Sequence, residues 1–166
     1  MFAFYKRHND SLYNNLVDLS RNIFFYEKCS LKDSFETRVI IIFIHLSLIM
    51  IVQRKKNIKF EQDIFDNIFQ NIEYGLRELG YGDVYVNKNM KILNKIFYDI
   101  LLKIDKKDKN SFVLDLEIIT KYISQYSHLK TGILHKIKEY FDNFYLFCMD
   151  LNYNVVLKGQ INFKYK

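Results

Sequence analysis

The sequence contains no proline and no tryptophan, and only five glycines and two cysteines in 166 residues. Each scarcity excludes something. Collagen-like, linker-like and turn-rich β architectures need Gly and Pro in quantity. A phosphate-cradling loop needs a longer glycine run closed by Lys-Ser/Thr, and a Gly-x-Ser-x-Gly nucleophile turn is absent. Cys29 and Cys148 stand far apart in no paired motif. They build neither a disulfide framework nor a zinc site, and they point to a reducing compartment. Met1–Asp10 lacks an apolar segment behind a basic start, so no secretory signal is expected there. Charge of one sign is also scarce. A net charge of +6 allows an anionic partner without demanding one, and lysines on solvated faces account for it equally well.

What is present is apolar and helical. Hydrophobic residues make up 49% of a 20.2 kDa chain, which excludes wholesale disorder and suits one domain. The most apolar run is Val39–Val52, bounded by Arg38 and by Gln53-Arg54. It is shorter than the roughly 20 residues of a membrane span. His45 and Ser47 interrupt it, so it reads as a helix apolar on all sides at the centre of a bundle.

Around that run the periodicity is near 3.6 throughout. Asp10 or Ser11 caps a first helix with Leu12, Leu16, Leu19 and Ile23 inward, and Asp33 or Ser34 caps the second. A third helix carries Phe60, Ile64, Phe65, Ile68, Phe69, Ile72, Leu76 and Leu79 on one face. Gly80 ends it. Asp83 caps a fourth that buries Val86, Met90, Leu93, Phe97, Ile100 and Ile104. Lys88, Lys91 and Lys95 lie on its opposite side, with Asp99 among them. After a charged loop at Asp105–Asn110, two further helices are expected near 111–126 and 131–150. The last places Ile133, Ile137, Phe141 and Phe144 inward. From Val155 the chain alternates, with Ile161, Phe163 and Tyr165 on one side, and reads as a short strand or extended arm. The expected fold is an all-α bundle of about six helices, with a helical domain over 1–150 and an extended tail over 151–166.

Candidate chemistry is sparse. His45 lacks a partner ligand at helical spacing and reads as a buried histidine bonded to a side chain or carbonyl. His128 and His135 share a face, but no Cys or carboxylate completes a metal set. Asp63, Asp66, Glu73 and Glu78 read as one solvated helix side. The Arg77–Asp83 segment stands open between two readings. One is a helical hairpin with a Gly C-cap and an Asp N-cap. The other is a turn whose glycines and charged pair bind a partner. The lysine row likewise reads as a solvated face or as a contact for RNA phosphates or anionic lipid. No catalytic residue, metal or cofactor is assigned.

The stretch 12–104 resembles the ubiquinol–cytochrome c chaperone family, bacterial relatives of the mitochondrial cytochrome b chaperone. Leu12-Tyr13, Arg21 and Phe25-Tyr26 follow the family's opening pattern. Asp33-Ser34, Glu36, Arg38 and Ile44-His45 continue it, with Lys32 in place of the turn proline and Thr37 in place of a glycine. The most specific piece is Leu76-Arg77-Glu78-Leu79-Gly80-Tyr81-Gly82-Asp83, then Val86 and Lys88; Lys91 and Phe97-Tyr98 follow.

The resemblance implies a non-enzymatic chaperone that binds newly made cytochrome b and assists biogenesis of the cytochrome bc1 complex. An apolar or aromatic groove would shield the client's membrane helix. It implies partner contacts at Arg77, Glu78, Gly80, Gly82, Asp83, Lys88 and Lys91, a structural or functional role for Arg38 and His45, and a structural bond from His45 to Arg38 or to a neighbouring helix. It admits the ribosome, an anionic membrane surface and a second assembly factor as partners, and a peripheral position at the cytoplasmic face of the inner membrane. The alternative is a helix-turn-helix-like nucleic-acid binder built from helix 60–79, the Gly turn and the lysine-bearing helix. Both helices are long for that motif, and the second has no base-reading arginine.

Overall fold

The computed structural model describes residues 10–106, 114–124 and 129–165. Among them the chain forms seven α-helices and no strand. They are α1 (Ser11–Ser20), α2 (Phe35–Lys55), α3 (Gln62–Glu78), α4 (Asp83–Lys106), α5 (Leu116–Tyr122), α6 (Thr131–Asp150) and α7 (Tyr153–Leu157).

α2 is the axis of the bundle. Ser34 caps it, its hydroxyl accepting from the Thr37 N–H, and its neighbour Asp33 pairs with Arg38 at 2.7 Å. By length and composition α2 is apolar enough to cross a membrane, yet 78% of its most apolar window is buried inside the protein. The reason is that α1, α4 and α6 all pack on it. An element surrounded on every side needs apolar residues all round, which is what Val39–Val52 supplies.

Two aromatic clusters flank α2. Phe43 stacks on Phe69 of α3 and meets Phe97 of α4 edge-on, with Phe65 completing the group. On the opposite side His45 sits among Phe25, Tyr140, Phe141 and Phe144. Truncating one such ring costs about 3–5 kcal/mol.

Several boundaries differ from the expectation. α1 ends at Ser20, and a π-helical turn, Phe24–Lys28, follows. That turn buries Phe24 and Phe25 and leaves Ile23 66% exposed rather than inward. Leu79 is also outside, 56% exposed, because α3 stops at Glu78 and the chain turns away. The fifth helix is only Leu116–Tyr122.

The segment from 151 is not a simple extended tail. Asn152 caps the short α7, its side chain accepting from the Asn154 N–H, and extended chain follows only after Gly159. There the expected alternation holds: Ile161 is buried, and Phe163 and Tyr165 pack on Tyr140. Among the described residues no strand pairs with the arm. Instead the Asn15 side chain accepts from the Ile161 N–H at 2.9 Å and donates to its carbonyl at 3.1 Å. A side-chain amide thus satisfies the backbone that a sheet would otherwise hold.

The basic end of α2 also has a structural task. Lys56 Nζ donates to the carbonyls of Cys148 and Leu151, capping the C-terminal end of α6 with a cation. Lys55 Nζ donates to Tyr145 Oη at 2.6 Å and lies over its ring.

Candidate functional site

α3 and α4 pack against each other, and their connection is the turn over residues 79–82. The sequence dictates it. Gly80 has φ +90, a left-handed position that β-carbon-bearing residues disfavour, and its N–H donates to the Arg77 carbonyl at 2.9 Å. Asp83 is the first residue of α4 rather than its cap, because the Val86 N–H already bonds the Gly82 carbonyl.

Asp83 serves a different purpose. Arg77 donates through Nη2 to Glu73 Oε1 at 2.9 Å and through Nη1 to Asp83. The two carboxylates, Asp83 first, push the guanidinium pKa further up. One cation therefore clips the end of α3 to the start of α4. The hairpin reading of the Arg77–Asp83 segment describes this geometry: Arg77 joins the two helices, and residues 78–82 face solvent.

Beside these charged groups the turn presents apolar and tyrosine side chains to solvent. Leu79 is joined by Tyr81 and Tyr85, whose rings stack 4.1 Å apart, and by Val84, 86% exposed. The sequence places Leu79 inward and Tyr81 within the turn motif, and it gives Val84 and Tyr85 no role. The signal was available: Val84 and Tyr85 fall off the phase that buries Val86 and Met90, so they have no core to enter. Glu78 and Gly82 are exposed on the same tip.

Beyond the tip, Lys88, Lys91 and Lys95 are all exposed and make no ion pair among the described residues. Asp99 is different. It accepts from Tyr122 Oη and is paired with Lys121 at 2.9 Å and Lys103 at 3.2 Å. Those partners hold its carboxyl well below the usual range, the Tyr122 hydroxyl contributing most.

His45 lies apart from this surface, fully buried. Its Nδ1 is 2.8 Å from the Ile41 carbonyl and its Nε2 is 3.0 Å from Tyr140 Oη. A carbonyl only accepts, so Nδ1 carries the proton and Tyr140 donates to Nε2. One neutral tautomer satisfies both, and desolvation lowers the pKa to about 4. The partner is therefore α6, not Arg38, which is engaged with Asp33. His135 is exposed, and His128 lies outside the described residues. Burial pushes the Cys29 thiol up to about 11 and Cys148 higher still, so both stay protonated.

A cleft of about 260 Å³ opens beside the end of α2, lined by Met50, Ile51, Arg54, Ile58, Phe60 and Leu101. It has room for side chains rather than for a helix.

The model of the ubiquinol-cytochrome C chaperone family matches residues 27–126, well over half of the chain and including the whole α3–α4 hairpin. Among solved structures the chain is similar to a Cbp3 homolog from Brucella abortus, with a TM-score of 0.66 at 19% identity. The match covers 93% of this chain and 87% of that one, and at such identity it speaks for the fold. No curated protein sequence matches.

Proposed function

The chain belongs to the ubiquinol-cytochrome C chaperone family, and on that premise we propose that it binds newly made cytochrome b and promotes assembly of the cytochrome bc1 complex. The action is binding, without catalysis. The observation that carries this reading is the family match running through the α3–α4 hairpin, whose tip exposes Leu79, Tyr81, Val84 and Tyr85. Apolar and tyrosine side chains clustered at a rigid turn suit a partner that is itself apolar, as a membrane helix leaving synthesis is. The Arg77 clip keeps the turn in shape. Lys88 and Lys91 form a basic rim beside it, which suits a cytoplasmic protein held at the inner face of the membrane or close to a ribosome. A second assembly factor would share that surface. The nucleic-acid alternative has less support, since α4 carries no arginine and the tip offers aliphatics and tyrosines.

Deleting the gene in its own cells tests the proposal. The expected result is loss of assembled bc1 complex and of its b-type haem absorbance, restored by the wild-type chain. Normal bc1 levels in the deletion strain would contradict it.

A further inference from the structure

The outer face of α4 continues past the hairpin tip in an unusual way. At 100° per residue, Lys88, Lys91, Ile92, Lys95, Tyr98 and Leu102 fall within about 120° of one another. They run for about 21 Å along the helix at 1.5 Å per residue. A purely solvated face would be polar throughout. Here Ile92 is 45% exposed, Tyr98 50% and Leu102 55%. Ile92 lies among three lysines that make no ion pair among the described residues, and Tyr98 and Leu102 extend the face beyond Lys95. Asp99 lies within the same arc, but its charge is already met by Lys103 and Lys121. None of the six residues lines the cleft beside α2.

We infer that this face is a docking surface for an anionic phospholipid bilayer, with α4 lying flat in the headgroup layer. The chemistry favours lipid over other anions. Unpaired lysines meet lipid phosphates, while the aliphatic chains among and beyond them enter the acyl boundary, and tyrosine suits the interface where one end is wet. RNA would use the lysines but has no place for Ile92 and Leu102. A protein partner would need acidic groups spaced along the whole arc. The inference rests on the peripheral position proposed above and names the face that makes the contact. Seated this way, the Leu79–Tyr85 tip lies at the plane where a client's membrane helix enters the bilayer.

The test is flotation of the full chain with phosphatidylcholine vesicles, with and without phosphatidylglycerol. The wild type is expected to bind only the anionic vesicles, and less as salt rises. K88Q/K91Q/K95Q is expected to lower the partition coefficient on the order of a hundredfold, at about fivefold per lysine. I92S/L102S is expected to lower it by about tenfold or more. All five substituted positions face solvent or are half-exposed, and circular dichroism verifies that each variant remains folded. A wild type that binds no vesicle overturns the peripheral position itself. A wild type that binds while both variants bind equally well overturns only the assignment of this face. Binding that depends on the lysines but not on Ile92 and Leu102, with the same lysines needed to hold a single-stranded RNA oligonucleotide, identifies a nucleic-acid surface instead.

Discussion

His45 shows how one polar side chain is tolerated in an otherwise apolar core. Both ring nitrogens are bonded, and four aromatic rings surround it. The consequence is a pH-dependent stability. The folded pKa of about 4 lies below the ordinary 6.5. Between those values the unfolded chain takes up a proton that the folded chain refuses. Stability is therefore full above pH 6.5 and is lost as pH falls toward 4. Between pH 7 and pH 5, before most carboxylates titrate, the loss is about 2 kcal/mol. Urea unfolding across that window measures it. His45→Gln is expected to be less stable at pH 7 but to lose this slope. A variant that keeps the slope would show that another group causes it.

At the scale of elements, the α3–α4 hairpin separates two kinds of glycine. A side chain at Gly80 would meet nothing within 4 Å, so the whole cost of Gly80→Ala is its φ of +90. That cost is about 1 kcal/mol. Gly82 has equally open surroundings without a left-handed φ. Gly82→Ala is therefore expected to be neutral or slightly stabilising. Thermal unfolding of the two variants distinguishes them, and equal losses would contradict this account of the turn.

The same element marks what was legible beforehand. The buried phase of α4, the apolar centre of α2 and the end of α3 beside Gly80 follow from spacing and from left-handed chemistry. The exposed tip was harder to foresee, because Leu79 continues the apolar phase of α3 one step past the point where the chain turns. Ile23 misled for the same reason, since the π-helical turn resets the phase after Ser20. α7 was hidden by Val155 and Val156, β-branched residues that read as strand until Asn152 is seen to cap them. The Arg77 clip needed the distance between two helices, and the His45–Tyr140 bond spans 95 residues, which no local pattern encodes.

For the whole molecule, the bundle combines a buried axis with one decorated edge. α2 is enclosed by α1, α4 and α6, and the arm after Gly159 closes over Tyr140. A β-carbon at Gly159 would collide with the Ser11 carbonyl, so the chain there and α1 meet backbone to backbone. The α3–α4 edge brings exposed apolar and basic groups together. The reading as a chaperone for cytochrome b depends on that edge more than on any cavity.

The most direct measurement is a pull-down of the tagged full chain from its own cells in mild detergent at low salt, with mass spectrometry of the captured proteins. Wild type is compared with L79S/Y81S/V84S, three exposed positions whose change leaves the core intact. The account predicts enrichment of cytochrome b with the wild type and its loss with the variant, both proteins being equally folded. Equal capture by both would contradict the placement of the site. Absence of every bc1 subunit from the wild-type capture would contradict the proposed client.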